Sequence, residues 1–276
     1  MSDLLGKLRG LRNQAGLMAP PPQKALPPEL RRLLATRQRH AGPSRLAAAE
    51  DRHVHGEEIA PGLRLVETFF EWPAPADLID VRFARIDVPI ERSRLLHFDT
   101  ETTGLAGGTG TRAFMIGAAD WIDTRLRLRQ LTITSLGAES AMLRHFAGWI
   151  DTHSVLVSYN GKCYDAPLLA TRYRLARMAN PLAGLLHVDL VHPVRRHWKG
   201  AWENCKLATA ERQLLGVVRE DDLPGSQAPA AWLSYLRGGA ATDLRRVAEH
   251  NAQDLKSLAG VLRYMAAMPP PQLASL

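Results

Sequence analysis

A chain of 276 residues that is 46% hydrophobic and 23% charged has the composition of a folded globular protein, which excludes disorder throughout. It holds no run near the roughly 18 consecutive apolar residues of a membrane span, and its opening MSDLLGKLRGLRNQAG lacks the apolar core of a secretory signal, so no membrane contact and a cytoplasmic location are expected. The net charge of +7 suits a polyanionic partner, yet residues 1–50 hold nine Lys/Arg against three acids, a net +6, and the remainder is nearly neutral.

In chain order, residues 1–50 also hold six of the 18 prolines and read as a basic, Pro/Ala-rich, disordered leader, with Leu4, Leu5, Leu8 and Leu11 at helical spacing inside it. Residues 51–90 read as a small extension with strand character in LRLVETFFEW, ended by Pro73 and Pro75. The main domain is expected over 91–268, followed by a short tail, 269–276. It opens with three strand-like runs, RLLHFD (94–99), AFMIGAADW (113–121) and RLRLRQLTIT (125–134), in the pattern of an antiparallel meander. In AESAMLRHFAGWID (138–151), Met142, Leu143, Phe146, Trp149 and Ile150 share a helical face. A strand (154–160), a helix (167–178), a strand (185–191) and a loop follow. Next come a helix over 204–215 stopped by Gly216 and a last helix over 243–265 with Thr242 as N-cap. The pattern predicts an α/β fold, a mixed sheet flanked by helices.

Asp99 and Glu101 stand two apart at the end of the first strand, so alternation puts both carboxylates on one face, able to share a cation. Acid-x-acid pairs arise often by chance. Here the apolar run Leu95, Leu96, Phe98 argues for burial, and buried like charges need a proton or a metal to neutralise them; Mg²⁺, a hard ion, suits oxygen ligands. Asp165 follows a strand and opens a helix with Pro167 in its first turn, which makes it an N-cap or a third site acid. His250 and Asp254, four residues apart, project from one face of the last helix as a surface pair or as part of a site. Cys163 and Cys205 form no CxxC pair, which excludes a disulfide framework and an all-cysteine zinc site.

Taken in order, FDTETTGL, YNGKCYDAPLL and HNAQD resemble the three motifs of the DEDD superfamily of 3′–5′ exonucleases, a ribonuclease H-like group, and most closely its YprB-like branch. The resemblance covers about residues 91–265. It implies a ribonuclease H-like sheet, phosphodiester hydrolysis, and Asp99, Glu101, Asp165 and Asp254 as ligands of two divalent cations, Mg²⁺ or Mn²⁺. The implied partner is nucleic acid, a single-stranded end of DNA or RNA. One departure stands out: His250 precedes Asp254 by the spacing at which familiar members carry tyrosine, so the motif alone does not make it the general base. It either takes the proton of the attacking water or orients Asp254 or the phosphate. The resemblance makes Asp189 a structural or near-site acid.

Further candidates have two readings each. GLAGGTGTR (104–112) lacks the Lys-Ser/Thr of a P-loop and reads as a flexible turn able to approach a scissile nucleotide. Residues 192–206 interleave Arg195, Arg196, His197, Lys199 and Lys206 with Trp198 and Trp202, a composition for gripping phosphates and stacking on bases, or a solvated loop with packing tryptophans. Asn160 and Lys162 contact the substrate strand or simply form the Asn-Gly turn. The rival functions are a catalytically inactive nucleic-acid-binding module on the same fold and a carboxylate-pair glycosidase with no metal dependence.

Overall fold

A computed structural model describes residues 51–104, 109–220 and 222–268; the expected leader and tail lie outside this range. The strands are β1 (Glu57–Ala60), β2 (Leu63–Glu71), β3 (Leu78–Ile79), β4 (Ile90–Glu91), β5 (Leu95–Thr102), β6 (Ala113–Ile122), β7 (Arg125–Ile133), β8 (Val155–Ser158) and β9 (Leu186–Asp189). The helices are α1 (Glu139–Ala147), α2 (Asp165–Leu175), α3 (Val191–Trp198), α4 (Leu207–Ala210, continued by a π turn over Glu211–Leu215), α5 (Ala228–Leu236) and α6 (Thr242–Ala267).

Seven strands form one sheet in the order β1-β2-β7-β6-β5-β8-β9. The meander β5-β6-β7 is antiparallel, while β8 lies parallel to β5 and β9 parallel to β8. Strand β5 is therefore where pairing changes sense, and its C-terminal end opens beside those of β8 and β9. Residues alternate along it: Leu96 and Phe98 enter one core and Leu95 the other. The first core receives α1, α5 and the start of α6, with Trp232 stacked on Phe114 at 5.2 Å and its indole N–H on the Ile133 carbonyl at 2.8 Å. The second receives the rest of α6, from Leu255 to Met265, with Val188 and Val194.

The extension expected over 51–90 does not stand apart from the sheet. Strand β2 pairs with β7 along its whole length, from Leu63 opposite Ile133 to Glu71 opposite Arg125, and β1 pairs with β2. The physical reason is that β7 carries buried Leu126, Leu128, Leu131 and Ile133, and such a strand at a sheet edge would leave an apolar ladder unpaired. The segment expected as a loop after β9 begins instead with α3, where Pro193 is tolerated because it sits in the first turn. Helix α6 starts at Thr242 with Ala241 as its N-cap, so Thr242 does not cap it. Among the described residues, no helix is long and apolar enough to cross a membrane.

Candidate active site

Asp99 and Glu101 lie on the face of β5 that α6 crosses. The helix comes close because β6 presents Gly117 opposite Asp99: a Cβ there would fall 2.1 Å from Asn251 Oδ1 and 2.7 Å from Leu255 Cδ1. Asn251, fully buried, donates from Nδ2 to Asp99 Oδ2 at 2.8 Å. One turn along α6 is Asp254.

Asp165 is the first residue of α2 rather than its cap, and it accepts the hydroxyl of Thr100 on β5. Its loop is clamped by Asp189, whose buried carboxylate accepts the backbone N–H groups of Asn160 (2.6 Å), Lys162 (3.0 Å) and Val191 (3.2 Å). Asn160 takes the left-handed conformation with φ 68°. Gly161 leaves room that a side chain would not, since a Cβ would meet Ser158 Oγ at 2.5 Å and Asp165 Oδ2 at 3.2 Å. Asp189 thus shapes the turn that delivers Asp165.

The loop after Gly216 brings Arg219 into the cluster. Its guanidinium holds Glu211 in a fork, Nε to Oε2 at 2.7 Å and Nη2 to Oε1 at 2.6 Å, and also donates to Asp254 and, at 3.2 Å, to Asp222. Glu211 is buried and takes a further hydrogen bond from Ser257. His250 Nδ1 lies 2.7 and 2.9 Å from the two oxygens of Asp222, and its Nε2 3.6 Å from Asp254 Oδ2. Nδ1 is also 3.1 Å from Arg219 Nη1, but a nitrogen that donates to Asp222 cannot accept from arginine. The proton therefore sits on Nδ1 and Nε2 faces Asp254.

Burial pushes the Asp99 carboxyl well above its ordinary pKa, and the charges of Asp254, Asp165 and Glu101 push it further. Glu101 is raised likewise, by burial and then by Asp254 and Asp165. Burial carries Asp165 to about 6 against the Thr100 hydrogen bond, and raises Asp254 against the pull of Arg219. For Arg219, burial disfavours the charge, but Glu211 and Asp254 outweigh it and hold the guanidinium above its usual range. The four acids are thus short of positive charge, and this donor set of hard carboxylate oxygens fits a divalent cation. Among the described residues no three Asp, Glu, His or Cys side chains already converge on one point. Asn251 holds Asp99, Thr100 holds Asp165 and Arg219 holds Asp254.

A cleft of about 470 Å³ lies beside the cluster, lined by Asp99, Thr100, Thr102, Asn160, Tyr164 and Asp165 among others. Of the residues expected from sequence, the structure gathers Asp99, Glu101, Asp165, Asp254 and His250, and puts Asn160 on the cleft wall. Lys162 is exposed, its backbone tied to Asp189. Arg195, Arg196 and Trp198 do not line the cleft: they ride on α3, where Arg196 donates to the Phe83 carbonyl and Trp198 stacks on Trp202 with centroids 4.6 Å apart. Sequence reasoning missed Glu211, Arg219 and Asp222. The signal for Arg219 and Asp222 was a charged run, Arg219 to Asp222, in a stretch bounded by Gly216 and Pro224, and Glu211, before that stretch, had none.

A model of the RNase H superfamily matches residues 96–266. The uncharacterized protein YprB of Bacillus subtilis (strain 168) is 36% identical over 176 residues, which make up 63% of this chain and 42% of that protein, so the match spans less than half of the relative's length. The structure of the family B DNA polymerase from the hyperthermophilic archaeon Pyrobaculum calidifontis aligns with 76% of this chain and 32% of its own, at 14% identity and a TM-score of 0.48.

Proposed function

The chain belongs to the RNase H superfamily, and we propose that it is a metal-dependent nuclease, a 3′–5′ exonuclease acting on single-stranded ends of DNA or RNA. One observation carries this reading: four carboxylates from three stretches of chain, Asp99 and Glu101 on β5, Asp165 on α2 and Asp254 on α6, are drawn close enough to repel one another where water is largely excluded, beside an open cleft. A binding surface for phosphates has no use for such a concentration of negative charge.

In this reading Asp99, Glu101, Asp165 and Asp254 hold two divalent cations, Mg²⁺ or Mn²⁺. Bound there, the cations supply water activation and offset charge at the scissile phosphodiester. His250 accepts a proton at Nε2, its free nitrogen, while Asp222 keeps the proton on Nδ1 and fixes the ring. Asn160 and Lys162, on the turn set by Asp189, contact the substrate strand. Arg195, Arg196 and Trp198, on α3 and outside the cleft lining, would reach only a longer strand running past that helix.

The binding-only alternative draws on a single feature, the guanidinium of Arg219 bonded to Asp254. Incubation with 5′-labelled single-stranded DNA and RNA in Mg²⁺, Mn²⁺ or EDTA separates the two. A ladder shortening from the 3′ end, absent in EDTA and in Asp99→Ala, supports the nuclease; tight binding without cleavage under every condition supports the alternative.

A further inference from the structure

Asn251 is buried, charge-neutral and one turn from Asp254, and its side-chain amide has two possible orientations. With Nδ2 toward Asp99 it donates to the carboxylate; rotated by half a turn it would set Oδ1 against Asp99, acceptor against acceptor. The choice is made one residue further away. Gln130, on β7 and 5% exposed, places Nε2 2.9 Å from Asn251 Oδ1 and 2.8 Å from the backbone carbonyl of Ala248. That carbonyl accepts and never donates, so it fixes the Gln130 amide with its NH₂ toward α6. For the second hydrogen of that NH₂ the competing acceptor is the Met115 thioether at 3.9 Å, weak and distant, so the amide oxygen of Asn251 takes it, which commits Asn251 to present Oδ1 to Gln130 and Nδ2 to Asp99.

We propose that Gln130 and Asn251 are positioning residues, a hydrogen-bonded relay running from the Ala248 carbonyl through two amides to Asp99 and orienting its carboxylate for a divalent cation. The last step rests on the metal-centre reading above; the relay itself does not. It spans three strands and a helix: β7 supplies Gln130, β6 the vacancy at Gly117 into which Asn251 fits, β5 the carboxylate and α6 the amide. A buried amide pair needs no such directionality to stabilise packing. Directionality matters when the terminal acceptor must keep one oxygen engaged and its charge aimed, and outer-shell partners of this kind tune metal affinity.

The test uses the full chain, with Mn²⁺ binding followed by electron paramagnetic resonance and the Asn251 side-chain NH₂ followed by ¹H–¹⁵N spectra. Asn251→Ala is expected to weaken Mn²⁺ binding about 10- to 100-fold and Gln130→Met, of similar volume, about 10-fold. Because Gln130 acts through Asn251, the double variant should be no weaker than Asn251→Ala alone. Additive losses, or Gln130→Met with wild-type Mn²⁺ affinity, would overturn the relay and assign both residues to packing. In the spectra, the Asn251 NH₂ should be protected from exchange in wild type and lose protection in Gln130→Met. Asp99→Ala gives a reading that leaves Gln130 untouched: it should free the Asn251 NH₂ while the Gln130 NH₂ stays protected. An Asn251 NH₂ indifferent to both substitutions rules the relay out whether or not metal binds. Wild-type protein that takes up no Mn²⁺ while the spectra behave as expected would refute the metal centre and leave the amide relay standing.

Discussion

Replacing Arg219 by glutamine removes a side chain 11% exposed from a buried Glu211 only 1% exposed, and releases Asp254 at the same time. Removing one partner of a buried ion pair costs about 3–5 kcal/mol, because the other charge stays behind unpaired. At roughly 2–4 °C per kcal/mol for a domain of this size, the metal-free melting midpoint should fall by roughly 6–20 °C. A divalent cation can replace the lost charge at Asp254. In the wild-type protein that cation must first break the Arg219–Asp254 bond, whereas in Arg219→Gln nothing stands in its way. At an excess of about 100 times the dissociation constant, binding returns about 2.7 kcal/mol, so Mn²⁺ should raise the variant's midpoint by more than it raises the wild type's. Scanning calorimetry in EDTA and in Mn²⁺ measures both shifts. A metal-free midpoint within about 2 °C of wild type, or a smaller Mn²⁺ gain in the variant, would refute the account of Arg219 as the counter-charge of this cluster.

Asp99→Ala should abolish nuclease activity, and Asp99→Asn should raise the melting midpoint of the metal-free protein by relieving repulsion from Asp254, Asp165 and Glu101; calorimetry with a gel assay checks both. His250→Ala should slow single-turnover cleavage by roughly 10² to 10⁴ with Mn²⁺ binding retained, and Asp222→Asn should slow it less; a loss of Mn²⁺ binding in His250→Ala would assign the ring to holding Asp254 instead. His187, hydrogen-bonded to Ser158 at 2.7 Å, is held neutral by burial with its pKa lowered from 6.5 to about 4. The unfolded chain therefore binds the extra proton first, and this contribution to stability, complete above 6.5, is lost as pH falls toward 4. Urea midpoints of His187→Asn should accordingly vary less with pH over that interval than those of wild type. Deleting residues 1–50, with their net +6, should leave cleavage of a short oligonucleotide intact and weaken salt-sensitive binding to long strands, as filter binding over a salt series would reveal.

The central part of this fold could be read from residues because local pattern and tertiary outcome agree there. Leu95 to Phe98 is apolar on both faces since β5 is buried on both, and two-residue alternation carried Asp99 and Glu101 onto one side. Asp165 and Asp254 gained meaning only through the order of the three motifs, as neither an acid opening a helix nor an acid on a helix flank is unusual alone. Arg219 was illegible: it stands in a loop without periodicity, and its contact with Asp254, 35 residues on, forms only after the chain closes. Strand β2 was recognised but set apart from the domain because Pro73 and Pro75 end its run and nothing local names β7 as its partner, and α5 was missed because Pro229 and alanines dominate its start. Both were decided by what they cover rather than by their own preferences.

Gly117 also serves as a marker for sorting relatives. A chain with a side chain at that position has to push aside the amide of Asn251 and the Leu255 side chain, which breaks the hydrogen bond to Asp99 whatever the rest of its motifs say. Sequences that keep all the acids but fill this one position are therefore predicted to be decayed copies, and those that lose a surface charge yet keep the glycine to be working ones. A gene survey could apply that criterion without a single assay.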